Sequence, residues 1–298
     1  MPDLAKADSR QPEAIGHHAR LELVFEARRG RTILAHSYAE PPFRIGRTFQ
    51  IDDAAYVIIV CTGAGIFAGD TLRQSIRVAS GARVVLASQS ALQAHPTAAA
   101  SAATIHHEYT VDDDAELQCQ WDPLIPFAGA RIDQRFDLQI AESSRLYWSD
   151  ALMAGRVSRG EAWRFQSVAH ELRVRIGASL SYLERYTLAP GSRVIERPWM
   201  AGHGRYLATA IVHHHAATSA AAEALQRLAP RERCPPYWQE PDAPGWRAID
   251  LGVDLIRPKT IVARILAADG APFAAVRTAF QTLALASIFG TPGRLGRK

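Results

Sequence analysis

From Leu21 onward the chain alternates apolar and polar positions with a period of two. Leu21, Leu23 and Phe25 lie on one phase, Arg28–Arg31 brackets a glycine turn, and Thr32–Tyr38 resumes the extended pattern, which predicts a β-hairpin. Further strands are predicted at Ala55–Cys61, Thr71–Val78, Leu207–Val212 and Thr260–Ala267. The period changes toward the end of the chain. Ala216–Leu228 is alanine-rich, with Leu225 and Leu228 at helical spacing and Pro230 just beyond, and Phe273, Val276, Phe280 and Leu283 form one helical face. Both read as helices, separated by a loop-like, proline-rich stretch over Cys234–Trp246.

Between the hairpin and the helices one motif recurs: an apolar residue, Ala or Ser four positions on, and an apolar residue two further on. Its copies are Val78-Ala82-Val84, Val111-Ala115-Leu117, Ile140-Ser144-Leu146 and Val174-Ala178-Leu180, spaced 29–34 residues apart. Short strands that cannot bury an apolar face alone become stable when such units stack. The expected fold is therefore mainly β: an elongated, β-helix-like stack of short strands, with a few α-helices near the C-terminal end. A sandwich of regularly spaced hairpins would give the same pattern. Residues 1–19 lack periodicity and read as a flexible N-terminal arm, leaving 20–298 as a single β domain.

Composition narrows the function. With 48% hydrophobic and 21% charged residues the chain is of globular type. A formal charge of +4 without a basic stripe gives no footprint for nucleic acid. No stretch approaches a membrane span and the amino terminus has no apolar signal core, so a cytoplasmic protein is expected. Cys61, Cys119 and Cys234 are widely spaced, which offers neither a disulfide framework nor a Cys-x-x-Cys clamp.

Three chemical readings fail on context. Tyr56–Cys61 followed by Gly63-Ala64-Gly65 and Gly69 imitates a dinucleotide-binding loop, but Thr71–Val78 alternates as a strand where a helix is required, and no acid follows in Val84–Ser90. Gly63, Gly65 and Gly69 then serve positive φ or close backbone approach, with Asp70 capping the turn. His213-His214-His215 could offer only alternate residues to one face of a strand, so surface or turn histidines are expected. A hydrolase has no nucleophile elbow or zinc signature here; Ser88, Ser90 and His95 are merely close in sequence.

The ordered set of segments is more specific. Gly63–Leu72 ending in Gly69-Asp70, then Gly81-Ala82, Ser88-Gln89-Ser90-Ala91, Ile125-Pro126-Phe127-Ala128-Gly129-Ala130, Gly155-Arg156 and Gly160-Glu161 together resemble the UreD/UreH family of urease accessory proteins, as does Gly30-Arg31-Thr32. The resemblance runs from about Leu21 to Ala267. It implies a β-helix-like fold and a non-enzymatic maturation scaffold that binds the accessory F protein, the GTPase accessory G protein and apo-urease, with no permanent cofactor and Ni²⁺ in transit. A handover route needs weak oxygen ligands and occasional imidazole, because thiolates or a histidine cage would hold Ni²⁺ too tightly. Asp70, Ser88, Glu116 and Glu161 stand beside the family segments as route candidates, each with the alternative of a turn cap or an arginine partner. Arg156 and Glu161 can also pair to fix the turn after Leu146–Ser149, and Gly155 and Gly160 are structural glycines. The chain departs from the family at Cys119-Gln120-Trp121-Asp122-Pro123, where Pro123 occupies a glutamate position, at Gln93-Ala94-His95-Pro96, and at Ala64. An enzyme on the same stack, or a binding module with a different client, are the competing readings.

Overall fold

The computed structural model describes residues 16–96, 101–192, 195–197, 200–229 and 249–290. Most of the arm expected over 1–19, and the whole proline-rich stretch at 234–246, lie outside the described residues.

The chain opens with the predicted hairpin, β1 (His18–Arg28) and β2 (Arg31–Ala39), closed by Arg29 and Gly30 at φ 49° and 75°. Two positive φ values give the turn a twist that matches the strands. Then follow β3 (Phe43–Ile45), β4 (Phe49–Ile51), β5 (Ala54–Cys61), β6 (Thr71–Val78), β7 (Arg83–Ser88), β8 (Leu92–Ala94), β9 (Ala103–Val111), β10 (Glu116–Gln120) and β11 (Leu124–Pro126). The stack continues with β12 (Arg131–Ile140), β13 (Arg145–Met153), β14 (Ser167–Ile176) and β15 (Ser179–Leu188). The last part comprises β16 (Tyr206–His213), α1 (Ser219–Gln226), β17 (Ile249–Arg257), β18 (Thr260–Ala267) and α2 (Gly270–Ser287). Thr218 caps α1 by accepting the Ala221 amide.

The strands form two facing sheets. The first runs β15-β14-β12-β9-β6-β1-β2; the second runs β17-β18-β16-β13-β10-β7-β5-β3. The central strands of both are parallel, because each coil lays one strand in each sheet before climbing to the next. The recurrent motif is the corner between the sheets. Val78, Val111 and Ile140 align at the end of the first sheet, and Val84, Leu117 and Leu146 align at the start of the second. Between them Ala82, Ala115 and Ser144 are buried at 0%, 0% and 2% exposure, leaving no room for a larger side chain. The corners also hydrogen-bond coil to coil: Glu116 N donates to Ala82 O, and Arg145 N to Ala115 O, both at 2.8 Å.

The fourth copy is not a corner. Ile176, rather than Val174, aligns with Ile140, and the chain then reverses at Gly177 (φ 58°) into β15, which pairs antiparallel with β14. Leu180 is consequently 52% exposed.

The two sheets differ in ways their sequences display. The outer face of the first meets solvent, so β12 and β14 alternate strictly between buried and less buried positions. The second is covered on both sides: its inner face packs into the core with Phe25, Ile76 and Trp148, and its outer face carries a second core with Tyr147, Leu225, Phe273 and Phe280 from the strands and helices. Near-continuous burial along β13 follows from that double cover. It also corrects the expectation for the histidine run, since His213 and His214 are buried at 2% and 3% exposure. Among the described residues no helix is long and apolar enough to cross a membrane.

Replacing Ala115 with Leu is expected to overpack the corner and lower stability by ~1–3 kcal/mol. Ser144→Ala removes only the hydroxyl bond to Ala141 O (2.6 Å) and is expected to cost about 1 kcal/mol or less. Urea unfolding of both variants checks the ranking, and an unchanged midpoint for Ala115→Leu contradicts the corner account.

Candidate functional site

The family-like segments Gly63–Asp70, Ser88–Ala91, Ile125–Ala130, Gly155-Arg156 and Gly160-Glu161, scattered in sequence, lie along one edge of the stack, while Gly81-Ala82 and Gly30-Arg31 lie at the corner edge opposite. Ile66 N donates to Gln93 O, His95 N to Ile66 O, Phe127 N to Ala94 O and Gly129 N to Arg164 O, at 2.8–2.9 Å. This close stacking explains two glycines: a Cβ on Gly65 would lie 2.2 Å from Gln93 O, and one on Gly155 would lie 2.5 Å from Glu161 O. Gly63, Gly69 and Gly160 hold positive φ in the same loops. The edge carries a stacked column in which Phe67 lies on His95 (4.5 Å), His95 meets the Phe127 edge (4.8 Å), and the Arg156 guanidinium sits 4.0 Å from the Phe127 ring centre.

Most of the sequence-derived candidates are occupied locally. The Asp70 carboxylate accepts from His17 N (2.9 Å) and Phe67 N (2.8 Å), which makes it the cap of the glycine turn. Arg156 and Glu161 form a two-pronged, half-exposed pair, and the guanidinium holds the Glu161 carboxyl below its ordinary range. Glu116 is buried on the opposite, helix-covered side of the second sheet, where it accepts from Gln118 Nε2 (2.7 Å) and pairs with Arg145 (3.1 Å). Ser88 differs. Its hydroxyl donates to Asp122 Oδ2 (2.9 Å) and accepts from Asp122 N (2.8 Å), and both residues line an internal chamber between the sheets.

That chamber, of about 80 Å³, is walled by apolar residues together with Gln74, His107, Gln134 and Asp150. It is far below the ~300–1,000 Å³ of organic-ligand pockets. At Asp150 and Ala151 it adjoins a second, more open cavity of about 480 Å³, which continues past Glu184, Thr209 and Arg264. Glu184 accepts from Tyr182 Oη (2.8 Å) and Thr209 Oγ1 (3.0 Å) and pairs with Arg264 at 3.1 Å. His170 Nδ1 lies 3.9 Å from Asp150 Oδ2. A seam of oxygen-bearing side chains thus runs between the sheets from Ser88 and Asp122, past Asp150, to Glu184.

Burial shifts the titration of several groups along it. Burial, reinforced by the nearby charge of Glu184, pushes the Asp150 carboxyl up to about 7. Burial drives His107 down to about 3 and His170 to about 4, so both rings are neutral near pH 7. It pushes the Cys61 thiol up to about 11 and raises the Cys119 thiol well above its ordinary range, so both are protonated near pH 7. Among the described residues no three His, Cys, Asp or Glu side chains form a cluster able to hold a metal.

Asp150, Glu184 and Gln74 escaped the sequence reading, and His107, which as half of the pair His106/His107 was expected to be a surface or turn histidine, is interior, yet a signal exists. Each occupies the apolar phase of an alternating strand, as Asp150 does among Leu146, Trp148 and Leu152, and as Gln74 does among Leu72, Ile76 and Val78. A polar residue on that phase must face the shared interior.

Residues 17–298 match the model of the UreD urease accessory protein family. The chain is 33% identical over 171 residues to the urease accessory protein UreD of Lysinibacillus sphaericus, covering 57% of this chain and 64% of the relative. It is 32% identical over 212 residues to that of Sorangium cellulosum (71% and 67%), and 25% identical over 167 residues to the urease accessory protein UreH of Helicobacter hepaticus (56% and 66%). The matched stretch spans about two thirds of the length of these curated relatives.

The position of Asp150 predicts a pH dependence. Its carboxyl titrates near 7 in the folded chain and near 3.9 when unfolded, so the folded state retains a proton that the unfolded state has released. The stabilisation this gives is complete below about pH 4 and is lost as pH rises through 7. Asp150→Asn should therefore gain on the unsubstituted protein by roughly 2–3 kcal/mol between pH 5 and pH 8. Urea unfolding at both pH values checks this; stabilities that run parallel contradict it.

Proposed function

We propose that this chain, which belongs to the UreD family of urease accessory proteins, is a non-catalytic scaffold in the cytosol that conducts Ni²⁺ toward apo-urease through the seam between its sheets. The observation that carries this reading is the row of oxygen ligands inside an otherwise apolar stack, from Asp122 and Ser88 through Asp150 to Glu184.

Nickel is the cargo, and what a handover protein needs is successive weak holds. A lone carboxylate with a hydroxyl or amide beside it binds a divalent cation more loosely than a thiolate or multi-histidine set. Asp150 has a further use: its raised proton affinity near neutrality lets an arriving cation displace a proton and a departing one be replaced by it, so the buried carboxylate need never stand as a bare charge. The two cavities supply a path that excludes organic ligands at its narrow part. The F-type accessory protein, the nickel-carrying GTPase and apo-urease are the partners in this reading, docked so that the ends of the seam face the donor and the acceptor.

Coexpression of the tagged chain with urease and the F-type and GTPase accessory proteins tests it. The unsubstituted chain is expected to recover a stoichiometric complex. Asp150→Asn combined with Glu184→Gln should keep the complex while lowering urease nickel content several-fold. Full nickel loading by that double variant, or activation of urease in cells lacking the chain, would sink the reading.

A further inference from the structure

The cavity of about 480 Å³ between β15 and the β13–β16–β18 end of the second sheet is of organic-ligand size, unlike the chamber beyond Asp150. Its wall is largely apolar, with Leu152, Leu188, Ile195, Leu207 and Leu266. Its charges do not balance. Among the described residues Asp150, Glu184 and Asp250 line it against the single base Arg264. Arg264 is held by Glu184 at 3.1 Å, and Asp150, only 8% exposed, has among the described residues no ion-pair neighbour beyond the neutral His170 ring 3.9 Å away. Trp163 is a second, independent observation. Its backbone sits at φ 59°, the left-handed region that a bulky residue rarely adopts, fixed there by Trp163 N donating to Ala154 O (2.7 Å). It is 6% exposed, lines the cavity, and its indole Nε1 has no hydrogen-bond partner among the described residues. Strain and an unmet donor each cost stability, and both fall on a side chain that shapes this wall. Tyr186 adds a second ring to the wall, braced by stacking on His170 (4.7 Å).

We propose that this cavity binds a small organic cation, an ammonium group on an aromatic or branched apolar body, with the charge beside Asp150 and Glu184 and the body against Trp163, Tyr186 and the leucines. The inference goes beyond the nickel route and needs no metal. A carboxylate in an apolar wall is costly by itself, and a cation that brings its own apolar surface compensates it without rewetting the cavity. Indole and phenol rings attract such cations as well. An anion meets the surplus of acids and is rejected. A lysine side chain from a partner carries the same head group, but its slim stem would leave most of the 480 Å³ unfilled, so a free amine with a bulkier body is the better match. The chamber beyond Asp150, at about 80 Å³, stops the ligand at that carboxylate.

Two probes on the full chain, without nickel, test this: 2-phenylethylamine, an ammonium ion near pH 7, and 2-phenylethanol, its neutral counterpart of the same shape. In calorimetric titrations the amine is expected to bind roughly tenfold or more tightly than the alcohol. Asp150→Asn combined with Glu184→Gln should bring the two to equal affinity. Arg264→Gln, which removes the one base at a half-exposed side chain, should strengthen amine binding several-fold and leave the alcohol unchanged. Intermolecular NOEs from the bound amine should reach the Trp163 indole and the Leu207 methyls. Equal affinities for amine and alcohol in the unsubstituted chain, an amine preference that survives the double variant, or NOEs to other surfaces only would each overturn the proposal. So would a short peptide with a single lysine binding as tightly as the amine, since the cavity would then take a partner's side chain. Should the double variant fail to fold, Arg264→Gln decides the matter, and an unchanged amine affinity in it overturns the proposal.

Discussion

The in-register stacking of parallel strands is the constraint on which the rest of this structure depends. Gln74 aligns with His107 and His107 with Phe136, while Gln134 aligns with His170, because the hydrogen-bond ladders leave each coil one position relative to the next. A side chain on the inward phase therefore has no choice of environment. If it is apolar it joins a continuous core, and if it is polar it meets the inward residues of neighbouring coils. The small corner residues Ala82, Ala115 and Ser144 maintain this register, since a larger residue at any of them would push adjacent coils apart.

Within that frame, polar residues in the interior are costly unless they satisfy one another. Tyr109 does so by meeting Trp121, Gln74 and His107 at a single oxygen, and Glu184 by taking Tyr182, Thr209 and Arg264. Asp150 between them accepts backbone hydrogen bonds, yet its burial and the nearby charge of Glu184 still raise its proton affinity. The helix side contributes as well: Arg277 of α2, itself buried, donates to Trp121 O (3.0 Å) and Ser149 Oγ (3.3 Å), tying the second core to the strands that wall the chamber.

Much of this was legible from local pattern. The hairpin turn at Arg29-Gly30, the three corners and the strand at Thr260–Ala267 all follow from short-range periodicity and turn chemistry. The fourth repeat misled because Val174-Ala178-Leu180 has the right spacing, whereas only the backbone at Gly177 decides whether the chain climbs to another coil or turns back. The site was less legible for a related reason. Whether Asp70 is a ligand or a cap depends on the amide of His17, 53 residues away, and whether Glu116 faces the seam or the helices depends on which phase of β10 is inward. Ser88 belongs to the seam only because β7 and the end of β10 bring Asp122 against it. The family-like motifs mark turns and corners at both edges where coils must pack closely, while Gln74, His107, Asp150 and Glu184 lie in ordinary strands between those motifs.

The central claim is that the space between the sheets holds and passes a divalent cation. Anomalous X-ray diffraction at the nickel absorption edge from crystals equilibrated with Ni²⁺ tests it most directly. The account predicts partially occupied nickel within the seam, beside the carboxylates of Asp122, Asp150 or Glu184. Nickel found solely on exposed histidines such as His36 or His215, with no anomalous signal between the sheets, would contradict it.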